Sequence, residues 1–150
     1  MNNLSVENSI LFDDENKAFS ICDGSIGIYR YEDVVKGQIV YEYAKYKGKS
    51  PMFSHRVLVS TLNTSIFVEM KKVYVGVEIT LLNGERVYVY ISKGPVIQHN
   101  YQFKEDYKVA KQIVEKMDKR KKEEFTLLFY LMHNFFKDPN YLKLNSVLFL

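Results

Sequence analysis

The chain is poor in cysteine and lacks tryptophan: its 150 residues hold a single cysteine, Cys22, and no tryptophan. One cysteine cannot close an intramolecular disulfide, so nothing in the sequence indicates an oxidising compartment. Cys22 ends the apolar run Ala18-Phe19-Ser20-Ile21-Cys22 and reads as a small core residue rather than a reactive thiol. Long apolar runs are missing too. No stretch approaches the roughly 20 residues of a membrane span. Residues 1–8 have neither the basic start nor the apolar centre of a secretion signal. A cytoplasmic setting with no membrane partner is expected. No charge of one sign dominates: Lys and Arg number 21 against 18 Asp and Glu, a formal net charge of +3. Nucleic-acid binding usually needs a more concentrated basic field.

Catalytic signatures are lacking as well. There is no G-x-S-x-G, P-loop, G-x-G-x-x-G or H-E-x-x-H. His55, His99 and His133 lie far apart, none with a second ligand at metal spacing. Asp13, Asp14 and Glu15 read as a polar turn rather than a cation site. The expectation is therefore a protein that is not an enzyme, with no metal and no cofactor.

What the chain does have is apolar and aromatic content, 47% and 15% of its residues. That suffices for the core of one domain without staples, and residues 1–150 read as a single domain. The first two thirds read as strands, at 9–13, 18–22, 26–30 and 38–47, with Ile39, Tyr41 and Tyr43 on one face. Two short strands are read at 56–62 and 65–70. The strongest local signal is the alternation of Val73, Val75, Val77, Ile79 and Leu81, followed by Asn83-Gly84 and then Val87, Val89 and Ile91. This predicts a hairpin with a two-residue turn, both central residues at positive φ.

The period then becomes helical. Phe103, Tyr107, Ala110, Val114 and Met117 form one apolar stripe, with Asn100 as the N-cap. The run Lys119-Arg120-Lys121-Lys122 interrupts it, read as a solvated helix end whose cations suit the helix dipole. The alternative is a nucleic-acid patch. Residues 123–137 are helical again, with Phe125, Leu128, Met132 and Phe135 near the phase of the first stripe. One long helix with a polar gap and two helices with a break both fit. Asp138-Pro139-Asn140 is a stop signal.

Strands followed by an amphipathic helix make an α+β chain, in which the helix caps a strongly bent antiparallel sheet. The opening Ser9-Ile10-Leu11-Phe12-Asp13-Asp14-Glu15-Asn16-Lys17-Ala18-Phe19-Ser20-Ile21 resembles the first hairpin of small bacterial pleckstrin-homology-like (PH-like) domains of unknown function. Tyr31-Glu32-Asp33-Val34, the hairpin 77–91 and the helix 103–117 fit the rest of that pattern, so the likeness covers residues 9–118. It implies a seven-stranded PH-like barrel capped by a helix, serving as a binding or oligomerising scaffold. Two departures stand out. Residues 48–72 contain only Gly48 where such domains often carry a glycine-rich insertion, and residues 119–150 have no counterpart in the minimal domain. Phosphoinositide-binding relatives place cations in the first hairpin loop. Here Asp13-Asp14-Glu15 occupy it, with Lys17 the only cation, and would repel an anionic headgroup.

The C-terminal extension 119–150 is the strongest pointer to function. Residues 123–137 hold too many large apolar side chains for a lone surface helix, and residues 141–150 add more, from Tyr141 to Leu150. Left in water, they make a patch larger than soluble monomers carry. They fold back on the sheet, pair with a second copy, or bind another protein; in the last case an inhibitor of a host protein, encoded by a phage or other mobile element, is one reading. Membrane insertion is not expected, since the helix is short and carries His133 and Asn134. The expected partner-binding residues are Phe125, Leu128, Phe129, Met132, Phe135 and Phe136. The alternative is a nucleic-acid-associated protein using Lys119, Arg120, Lys121 and Lys122 with the strand tyrosines Tyr41, Tyr43, Tyr88 and Tyr90.

Overall fold

The computed structural model describes residues 5–6, 9–49, 51–59 and 71–137. Within them the chain is α+β: two antiparallel sheets and one long C-terminal helix. The first sheet runs in chain order through β1 (Ser5–Val6), β2 (Ile10–Asp13), β3 (Ala18–Ile21) and β4 (Gly27–Arg30). Period-two alternation turns Ile10, Phe12, Phe19 and Ile21 inward. The β2–β3 turn is held by Asp13, whose carboxylate accepts from the Asn16 backbone at 3.0 Å and its side-chain amide at 2.7 Å. The alternation that buries Ile21 leaves Cys22 beyond the last β3 pair. The cysteine is exposed, not the core residue its apolar neighbours suggest.

A 3-10 turn at Tyr31–Asp33 leads into the second sheet. Its strands are β5 (Val34–Tyr43), β6 (Val57–Leu58), β7 (Lys72–Leu81), β8 (Arg86–Tyr90) and β9 (Val96–Ile97), in the order β6-β5-β7-β8, with β9 also pairing β7. Of the strand expected at 56–62 the structure gives β6; residues 60–70, and with them the strand expected at 65–70, lie outside the described residues. The sheets meet at one bridge, Gly24 to Val89, supported by Tyr90 N–H donating to Asp23 O at 2.9 Å and Ser25 N–H to Tyr88 O at 2.8 Å. Among the described residues the strands close no barrel.

The β7–β8 hairpin forms as the alternation predicts, but its turn is a different one. Leu81 pairs with Glu85 through its N–H, and Gly84 N–H donates back to Leu81 O, leaving Leu82, Asn83 and Gly84 as a three-residue loop. Only Gly84 has positive φ, +83°. The Asn83 side chain accepts the Glu85 N–H at 2.9 Å, so Asn83 stabilises the loop without entering the left-handed region. This is a type I turn closed by a left-handed glycine.

The second sheet is covered on both faces. Val73, Val75, Val77, Ile79 and Leu81 join Phe12, Phe19, Ile113 and Met117 in the main core. The opposite face holds Val40, Tyr90 and Phe53, with Met52, Tyr74 and Tyr88 packed around them. Phe53 comes from the loop before β6, adopts φ +51° and is fully buried. Its ring lies on Gly76: a Cβ there would sit 2.5 Å from the ring edge and 2.6 Å from Val89 O. Glu78, buried on this face, is ion-paired with Arg56.

Helix α1 (Tyr101–Lys137) is continuous over 37 residues, about 55 Å at 1.5 Å per residue. Asn100 is its N-cap, its side-chain oxygen accepting from Phe103 N–H at 2.8 Å. Phe103, Asp106, Ala110, Ile113 and Met117 are its buried residues. Tyr107 and Val114, expected on the stripe, are only half-buried. Asp106 is tolerated there because each carboxylate oxygen has a donor: Ser92 Oγ at 2.6 Å and Gln102 Nε2 at 2.8 Å. Ser92 Oγ in turn accepts from Val75 N–H at 2.9 Å. The boundary read between 118 and 119 falls inside this helix. The stop signal at 138–140 and residues 141–150 lie outside the described residues.

Candidate functional site

The site begins where α1 leaves the sheets. Arg120 reaches down to the first hairpin, donating to Asp14 from Nε at 2.6 Å and from Nη2 at 2.9 Å. Its guanidinium lies 4.5 Å from the Phe12 ring centre and 5.5 Å from that of Tyr31. Tyr31 O–H donates to the same carboxylate at 2.9 Å. The hydrogen bond from Arg120 holds the Asp14 carboxyl below its ordinary range, against a smaller opposing effect of burial. Burial, with the Asp14 hydrogen bond, pushes the Tyr31 hydroxyl up to about 12.

Lys121 Nζ donates to Val35 O, Lys17 pairs with Glu124 at 3.3 Å, and Lys119 lies 3.9 Å from Glu123. The basic run is therefore not a helix end. It lies mid-helix, and Arg120 and Lys121 fasten the helix to the first hairpin and to β5. As a nucleic-acid patch it is divided, since its most buried cation is already matched to Asp14.

Beyond Glu124 none of the described helix residues is buried. All six residues expected to bind a partner, Phe125, Leu128, Phe129, Met132, Phe135 and Phe136, are on this exposed segment, together with Leu127, Tyr130 and Leu131. These nine side chains are 49% to 71% exposed. At about 100° per residue eight of them form an apolar sector from Leu127 round to Phe129 that spans roughly 200°, with Thr126, Tyr130, His133 and Lys137 on the other side. A surface helix facing one core shows a narrower stripe.

At the root of this segment an open crevice of about 850 Å³ separates the helix from Tyr31, Val34, Val35 and Leu82, with Phe125 and Leu128 on its helical wall. Val35 and Leu82 are exposed in it. Sequence reading missed both: Val35 follows the Tyr31-Glu32-Asp33-Val34 element, and Leu82 stands between the alternating run that ends at Leu81 and Asn83-Gly84. Their signal was only that large apolar residues stand where a polar loop is usual.

The other candidates are scattered. Tyr41 and Tyr43 pack on the helix side of the second sheet, Tyr41 edge-on to Phe103 at 6.5 Å. Tyr88 and Tyr90 lie on the opposite face, stacked on Phe53 at 5.2 and 4.5 Å. Strand alternation thus splits the four tyrosines between two covered faces, and they make no common stacking platform. His55 stacks on Tyr46 at 4.0 Å, His99 is tilted against Phe103, and His133 stacks on Phe129 at 6.3 Å. Among the described residues no group of three or more His, Cys, Asp or Glu is placed to hold a metal, and no helix is long and apolar enough to cross a membrane. Comparison of the chain with family models, with curated proteins and with solved structures finds no match.

Proposed function

We propose that the chain is a non-catalytic protein-binding module, a PH-like scaffold that presents the distal half of α1 to a protein partner. The observation that carries this reading is the exposed apolar sector from Phe125 to Phe136 on a helix whose proximal half is anchored by Met117 and Arg120. An apolar surface of this extent marks an interaction site. Two antiparallel sheets followed by one C-terminal helix support the PH-like element order.

The test is size exclusion with light scattering on the full chain, with absorbance at two wavelengths, for the native sequence and for Phe129→Ser with Phe136→Ser. The expected result is association in the native chain that the substitutions weaken, with the β-sheet circular dichroism unchanged. Loss of the sheet signal along with association would place those rings in the core and refute the reading. A nucleic-acid complex with steep salt dependence would replace it with the nucleic-acid reading.

A further inference from the structure

We infer that the partner of this surface is a second copy of the chain, lying antiparallel to the first with the two-fold axis crossing the seam at the level of residue 130. The inference rests on the protein-binding reading above and adds the identity of the partner and its direction.

The seam itself is the first argument. Phe125, Leu128, Met132 and Phe135 are spaced three, four and three, a pattern that reads the same in both directions about residue 130. Laid antiparallel, Phe125 faces the second copy's Phe135 and Leu128 faces its Met132. A closed isologous pair requires such self-complementarity.

Charge selects the direction. A parallel pair would bring Lys119, Arg120, Lys121 and Lys122 beside their own copies. Centred on residue 130, an antiparallel pair sets the two Arg120 residues about 30 Å apart along the axis, well beyond the roughly 8 Å screening length at physiological salt.

The area is sufficient. Leaving out Tyr130, which lies on the other side of the helix from the seam, eight large side chains, all but Met132 at least half-exposed, offer on the order of 1,000 Å² per chain. A stable pair needs about 800 Å² from each partner.

The crevice completes the fit. In this arrangement Phe135 and Phe136 of the second copy arrive beside Phe125, at the mouth of the 850 Å³ crevice walled by Phe125, Leu128, Val35 and Leu82. The end of each apolar helix fills the space at the root of the other, and the exposure of Val35 and Leu82 is accounted for.

The experiment uses the full chain carrying Cys22→Ser, so that a single introduced cysteine can take a spin label at Thr126→Cys or, separately, at Lys119→Cys. Light scattering is expected to give twice the 17.7 kDa chain mass. The Lys119→Cys label pair is expected to be further apart than the Thr126→Cys pair by about 10–20 Å, since its separation along the axis is about 20 Å greater. Equal separations would show a parallel pair and overturn the inference, as would a monomer at all concentrations. In a monomer, binding of an apolar dye distinguishes the two failures. Dye binding that Phe129→Ser with Phe136→Ser removes, with the sheet intact, leaves the protein-binding reading standing. Unfolding by the same substitutions ends both.

Discussion

Arg120 and Asp14 stand 106 residues apart in sequence and share two hydrogen bonds, of 2.6 and 2.9 Å, above the Phe12 ring. An acidic hairpin turn, which on its own looks like solvent-facing polarity, is thus the receptor for the chain's own helix. The Arg120 side chain is 13% exposed and that of Asp14 55%, so the pair is partly screened. Arg120→Ala is expected to destabilise the fold by about 1–2 kcal/mol, lowering Tm by about 3–6 °C for a domain of this size. Arg120→Lys should recover little of it, since an ammonium cannot make the two-pronged contact. Thermal unfolding followed by circular dichroism checks both.

The same cluster sets two pH limits. The Asp14 carboxyl is depressed by Arg120 in the folded state, so its contribution is complete above the unfolded value of about 4. It is lost as pH falls through the lower folded value. Asp14→Asn should therefore be less stable than the native chain at neutral pH and lose less on acidification. Urea unfolding at several pH values measures the difference.

At the alkaline end the order reverses. Tyr31 and Tyr90 are raised to about 12, chiefly by burial, with Asp14 adding to the first and Glu42 to the second. Their neutral forms belong to the folded state, so stability present below about 10 is lost as pH rises through about 12. Tyrosinate absorbance should show a late phase that Tyr31→Phe and Tyr90→Phe each diminish.

Gly76→Ala is expected to cost about 1–3 kcal/mol, as overpacking does, because its Cβ would meet the Phe53 ring and Val89 O. Urea unfolding should show a lower midpoint. Near-ultraviolet circular dichroism should change with it, since Phe53 stacks on Tyr88 and Tyr90.

Asn100→Ala removes the side-chain acceptor for Phe103 N–H. A loss of about 1 kcal/mol is expected, or about 2–4 °C in Tm. Asn100→Asp should retain the cap, and thermal scans of the two variants compare them directly.

The features legible in the sequence were those carried by periodicity. Alternation from Val73 to Leu81 and from Val87 to Ile91 marked β7 and β8, and three-four spacing from Phe103 to Met117 marked α1 and its cap. What escaped was set by contacts between distant segments. Phe53 belongs to no periodic pattern, and only Gly76, Tyr88 and Tyr90, on distant strands, show why it is buried. Asp106 carries no apolar signal, and only Ser92 and Gln102, its donors in the fold, explain its burial. Arg120 was one cation among four, and its role depends on a turn at the other end of the chain. The six apolar residues of the candidate site were legible because composition alone marks them. Val35 and Leu82 were not, since only the fold brings them to the same crevice.

One consequence follows from α1 running unbroken from the sheet to Phe136. No hinge separates the part fastened by Arg120 from the part that meets a partner, so the helix behaves as a keyed shaft. One alanine inserted between Glu123 and Glu124 changes neither the core nor the list of apolar residues. It turns the distal sector by about 100° and points it away from the crevice. Seven inserted residues return the phase to within about 20° while moving the sector out by about 10 Å. What a partner meets is therefore an angle counted in residues from Arg120, and a single insertion is enough to misalign it.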